Sequence, residues 1–149
     1  MSVFEWNDSL SVGVQQIDEH NQHLLKLIHG LYKGLIEQSN MQRTKLEFSE
    51  LSEYIVFHFA CEEIWMNNAK YSIITGHQEQ HKQLRLMFMD IYNHSDHGDI
   101  SIATMLLSLM QFIITHIQKS DATYGHFVHD KLSEKLIVKR VSCNYMIRK

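Results

Sequence analysis

Residues 54–66 read Tyr54-Ile55-Val56-Phe57-His58-Phe59-Ala60-Cys61-Glu62-Glu63-Ile64-Trp65-Met66, and a helical reading of this stretch decides the fold. At about 3.6 residues per turn, Tyr54, Ile55, His58, Glu62, Trp65 and Met66 supply one inward face, with an imidazole and a carboxylate one turn apart. A buried carboxylate without a partner is costly, so a ligand role explains its presence in an apolar stripe. Two further pairs follow on later helices: His77 with His81, four apart, and His116 with Asp121, five apart. Three helices can therefore aim six ligands inward. Mixed imidazole and carboxylate donors suit iron, zinc or manganese, whereas a thiolate-rich set would indicate structural zinc or an iron–sulfur cluster. With 11 His in 149 residues, one His pair at a spacing of four is expected by chance, so the weight rests on the repetition over three helices. The pattern points to a metal site inside a helical bundle, with two metals.

Within this set His58 can bind one metal while Glu62 bridges to a second. Glu63 is rotated about 100° further and is expected to face solvent. The spacing of five between His116 and Asp121 does not suit a regular helix, because residues five apart differ by about 140° around the axis. Either Asp121 is not a ligand, or a π-bulge or loosened turn between Ile117 and Asp121 brings both to one centre; such bulges are common at functional sites.

Working outward, Pro is absent and Gly is limited to 6, a balance that permits long helices and provides little turn chemistry for a sheet. The fold class is all-α, an up-down-up-down four-helix bundle with an extended N-terminal arm and a short C-terminal helix. Residues 1–149 form one domain: an arm over 1–14 carrying Phe4 and Trp6, helices over about 15–38, 42–68, 76–93 and 100–120, and a C-terminal helix and basic tail over 121–149. Leu46 and Leu51 are further inward candidates on the second helix. Thr75 and Gln78 have capping-box spacing at the start of the third, and Asp99 or Ser101 can cap the fourth.

The net charge of −3 and pI near 6.4 provide no field for a polyphosphate backbone, so nucleic-acid binding is not expected. Cys61 and Cys143 show no Cys-x-x-Cys spacing and no disulfide framework. No signal peptide or run of 18 apolar residues is evident, and a soluble, cytoplasmic protein without a membrane partner is expected. The tail from Lys131 to Lys149 is basic and reads as solvated.

The arm Phe4-Glu5-Trp6-Asn7-Asp8-Ser9-Leu10-Ser11-Val12-Gly13-Val14, then Ile17-Asp18-Glu19, His58…Glu62, His77…His81 and His116-Ile117-Gln118-Lys119-Ser120-Asp121 resemble the hemerythrin family, in its bacterial form, in type, order and spacing. The resemblance covers about residues 1–130. It implies two non-haem irons bridged by one Glu, one Asp and an oxo or hydroxo group, with O2 binding at one open iron position. By resemblance, His77, His81 and His116 complete the saturated iron, His58 serves the open one, and Glu62 and Asp121 bridge. The family places a further His on the first helix where this chain has Asn21, with His20 one residue earlier. Both flank the apolar stripe. His20 can supply the ligand after a small rotation, Asn21 can offer its carbonyl oxygen, or a water can fill the position; the first reading takes His20.

Ile113 and Phe112, one turn before His116, and Phe59 beside His58 would wall an O2 site with hydrocarbon, although ordinary core packing accounts for them equally well. The resemblance therefore implies reversible binding of O2, or another small diatomic ligand, for storage, delivery or sensing, with no catalytic residue. The same fold with a more open site would suit peroxide, nitric oxide or iron handling. A ferritin-like oxidase would carry Glu-x-x-His, which is absent from the sequence. A zinc hydrolase would carry His-Glu-x-x-His, also absent.

Overall fold

The computed structural model describes residues 5–37, 40–95 and 100–133; Phe4, Asp99, Cys143 and the tail beyond residue 133 lie outside them. A 3₁₀ turn, Asp8–Leu10, precedes helices α1 (Gln15–Ile36), α2 (Met41–Asn68), α3 (Ile74–His94) and α4 (Ile100–His116), and a π-helical turn, Ile117–Asp121, leads into α5 (Ala122–Ser133). Helix α1 packs on α2 and α4, and α3 packs on the same two, which closes a ring of four antiparallel neighbours. The protein is an all-α four-helix bundle.

Local chemistry sets the ends of these helices. The Asn40 side chain accepts the Gln42 amide at 2.8 Å and caps α2. At its other end Lys70 takes φ 56°, and the Tyr71 amide closes back on the Met66 carbonyl at 3.0 Å, so a left-handed residue ends the helix without Gly. Helix α3 starts at Ile74 with no side-chain cap, so the expected Thr75 cap does not form. Leu46 also departs from expectation: it is exposed, and Phe48 takes the inward position.

Between the helices, Leu24, Leu25, Ile28 and Leu31 of α1 meet Leu51 and Ile55 of α2, Leu84, Phe88 and Ile91 of α3, and Leu106, Leu109 and Ile113 of α4 in one buried core. Burial of each such side chain contributes about 1.5–3 kcal/mol. The stretch Ser101–Leu132 is long and apolar enough to cross a membrane, but it is the core-lining helix of this bundle. The arm lies against α5. A Cβ on Gly125 would stand 2.2 Å from the Val12 carbonyl oxygen, so only glycine allows this approach. Beside it, His129 Nε2 donates to the Gly13 carbonyl at 2.8 Å.

Candidate metal centre

Seven polar residues are buried in the bundle among the described residues: Asn21 from α1, His58 and Glu62 from α2, His77 and His81 from α3, His116 from α4, and Asp121 at the end of the π turn. The first six helical positions follow from ordinary helix phase. Asp121 follows from a fault in it: the π turn adds one residue to the circuit, so a spacing of five delivers both side chains to one place. Asp121 Oδ1 lies 3.1 Å from His116 Nε2 and 3.3 Å from His77 Nε2. Glu62 Oε2 is 3.0 Å from His81 Nε2 and 3.5 Å from His77 Nε2, while its Oε1 is 3.2 Å from His58 Nε2. The Nε2 atoms of His81 and His116 face each other at 3.1 Å.

This crowding is poorly resolved by hydrogen bonding alone. Both Glu62 oxygens, Asp121 Oδ1 and His77 Nε2 are buried with no hydrogen-bond partner, an arrangement that a protein core does not tolerate without compensation. A bound ion would supply it. Donors on adjacent vertices around one six-coordinate ion, each about 2.1 Å from it, lie about 3 Å apart, and the donor atoms of Glu62, His77, His81 and His116 all fall within 4.8 Å of one another. The residues present fit a metal centre of nitrogen and oxygen ligands.

The imidazoles are oriented from behind. His81 Nδ1 donates to Glu63 Oε1 at 2.9 Å, and Glu63 is itself met by Gln78 at 3.2 Å and by Arg85 at 3.7 Å. His116 Nδ1 donates to Gln80 Oε1 at 2.8 Å, which Ser120 also reaches. With the proton held on Nδ1, each ring turns the Nε2 lone pair to the centre. Glu63 thus corrects the expectation of a solvent-facing carboxylate: its side chain is only 22% exposed and spans from α2 to α3. Sequence reading missed both Glu63 and Gln80. The available signal was the need of every ligating His for a partner at its second nitrogen, to be sought among long polar side chains next to a ligand.

Electrostatics follow the burial. For Glu62 burial raises the pKa, but the His58 charge and the approach of His77 and His81 outweigh it and hold the carboxyl well below the usual range. Burial pushes His58 down, against the pull of Glu62 and Asp121. His116 goes the other way: despite burial, its contact with Asp121 raises it.

Helix α1 brings Asn21 and His20 to different places. Asn21 is fully buried, and its Nδ2 donates to Asp121 Oδ2 at 3.0 Å. His20 is half-buried, with its ring 5.0 Å from Trp65, 5.4 Å from Phe57 and 5.8 Å from His58. Among the apolar positions, Ile113 and Phe59 are buried, and Phe59 stacks on His81 at 4.0 Å with planes 9° apart. Phe112 is a correction. It is 56% exposed and borders a surface groove with Gln80, Met87 and Thr115, because α4 turns the Leu109, Ile113 and Ile117 side of His116 inward.

Known proteins agree with this geometry. The family model for the hemerythrin HHE cation binding domain matches residues 12–128. A bacteriohemerythrin of Stenotrophomonas maltophilia is 27% identical over 143 residues, covering 90% of this chain and 87% of the relative. A hemerythrin-like protein of Naegleria gruberi is 28% identical, covering 83% and 92%, and myohemerythrin-1 of Phascolopsis gouldii is 23% identical, covering 81% and 91%. A solved crystal structure of a point mutant shares the fold with a TM-score of 0.76 at 20% identity, covering 86% of this chain and 98% of that one. The chain belongs to the hemerythrin family, the non-haem di-iron proteins whose His and carboxylate ligands meet inside a four-helix bundle.

Proposed function

We propose that this protein binds O2 reversibly, for storage, delivery or sensing in the cytoplasm, at a di-iron centre held by His58, His77, His81, His116, Glu62 and Asp121. The observation that carries the reading is the imbalance of donors inside a closed apolar core. Among the described residues, His77, His81 and His116 crowd one end, while His58 and one Glu62 oxygen meet at the other, so fewer of the six donors serve that end and a coordination position there is free for a small neutral ligand. When bound, a di-iron pair supplies the electrons and the vacant coordination position that O2 needs. The chain supplies the rest. Glu63 and Gln80 fix the His81 and His116 rings, and Phe59 and Ile113 place hydrocarbon around the centre. Hydrocarbon walls keep water and protons from a bound ligand, which favours release of O2 unchanged.

The test is anaerobic loading with Fe2+, exposure to O2, and removal of O2 under argon, followed by visible absorption and resonance Raman. A spectrum that appears and disappears through several cycles supports the reading. Irreversible oxidation in the first cycle, with hydrogen peroxide released, favours the second reading of peroxide, nitric oxide or iron handling. That second reading draws on Asn21, which occupies the α1 position beside Asp121 with an amide where an imidazole would close the site.

A further inference from the structure

We propose that the centre holds its two metal ions unequally: the ion on the His77, His81 and His116 side is tight, the ion on the His58 side is exchangeable, and Asn21 sets that looseness. The inference rests on the di-iron reading above and adds a claim about how the ions enter and leave.

The donor count makes the case. On one side three imidazole nitrogens, Glu62 Oε2 and Asp121 Oδ1 are linked by contacts of 3.0–3.5 Å, and the nitrogens and the Glu62 oxygen all lie within 4.8 Å of one another. On the other, His58 Nε2 and Glu62 Oε1 stand 3.2 Å apart, and the remaining carboxylate oxygen, Asp121 Oδ2, is already taken by the Asn21 amide at 3.0 Å. An N–H aimed at that oxygen competes with a cation for the same lone pairs. Turning the amide over would present Oδ1 instead, which is buried and unpartnered, but a neutral amide oxygen is a weaker donor to iron than imidazole. In either orientation the His58 side has fewer strong donors.

Support from behind is also unequal. Glu63 and Gln80 tie the second nitrogens of His81 and His116, whereas His58 Nδ1 is buried with no partner. Such partners strengthen metal affinity by about 10–100-fold, so the His58 side lacks this gain as well as the additional donors. A tightly coordinated ion and a readily lost one can therefore share the Glu62 bridge.

The experiment uses the full chain, stripped of metal and titrated anaerobically with Fe2+, with iron per chain then measured after equilibration against chelators of graded strength. The expected result is saturation at about two ions, then release of one at chelator concentrations at least tenfold lower than those that remove the other. Asn21→His should narrow that gap by tenfold or more through the second ion alone. Parallel release of both ions from the unsubstituted chain overturns the inference and leaves the di-iron reading standing. So does an unchanged gap in a folded Asn21→His chain. Saturation at one ion or none in excess Fe2+ overturns the di-iron reading itself. If the variant does not fold, the release profile of the unsubstituted chain decides alone.

Discussion

The two ends of the centre are built by different means. At the His81 and His116 end, each ring is fixed by the hydrogen bond that its second nitrogen donates, to Glu63 and to Gln80 respectively. At the His58 end, apart from Glu62 at 3.2 Å, the ring is held by packing: Tyr54 stacks 5.9 Å away, Phe59 lies at 5.3 Å and His20 at 5.8 Å. Hydrogen bonds fix direction and tautomer, while aromatic packing fixes position and leaves the proton placement open. One end is therefore specified for a metal in its present state, and the other tolerates a change of ligand.

The contrast can be broken most severely at the residue common to both ends. Glu62→Ala should reduce retained iron from about two per chain to well under one while far-ultraviolet circular dichroism stays helical, since both of its oxygens face donors of opposite ends. Retention of one tight ion would show that the ends do not depend on a shared carboxylate. Next in size, Glu63→Ala should weaken the tighter ion by about 10–100-fold in chelator competition, and Glu63→Gln should recover part of it, because a carbonyl still accepts from His81. Gln80→Ala should do the same for His116 but nearer tenfold, since a neutral acceptor is the weaker orienting group. If the Glu63 and Gln80 variants change only the looser ion, the division of labour is reversed.

The smallest effects belong to the packed end. Tyr54 donates its hydroxyl to the His20 carbonyl at 3.1 Å, so Tyr54→Phe should lower thermal stability by about 1 kcal/mol without altering affinity for the tighter ion. His20 is lowered to about 4, by burial first and then by the His58 charge. A base with a depressed folded pKa stays neutral while the unfolded chain takes up a proton, so its contribution to stability is full above about pH 6.5 and is lost as pH falls through about 4. The metal-free chain should accordingly lose stability over that window, and His20→Phe should flatten the slope in urea titrations. An unchanged slope would place His20 in water.

Much of this architecture was legible in the residues. Spacings of four place His58 with Glu62 and His77 with His81, and the spacing of five at His116 and Asp121 demanded the very distortion that Ile117–Asp121 shows. What could not be read was anything that depends on the neighbouring helix. Phe112 is closer in helix phase to His116 than Ile113 is, yet the buried core lies on the Ile113 side, so Phe112 is exposed. A single helix does not reveal on which flank of a ligand its partners will lie. Glu63 was misplaced for the same reason: its Cα is off the inward face, but a long side chain reaches α3. At α1 the angles of His20 and Asn21 were nearly tied, and packing separated them. Asn21 meets Asp121, whereas His20 settles among Phe57, Trp65 and His58.

The Val12 carbonyl seated over Gly125 has a mechanical meaning. Helix α4, the π turn and α5 run as one rod, with Asp121 near its middle and the arm strapped across it four residues further on. A π turn can revert to α-helix by shedding its extra residue, which here would swing α5 about its axis by roughly 100° per residue. The strap resists that rotation, because any other face of α5 would drive a Cβ into the Val12 backbone. A segment that carries no ligand thus bears on the placement of one.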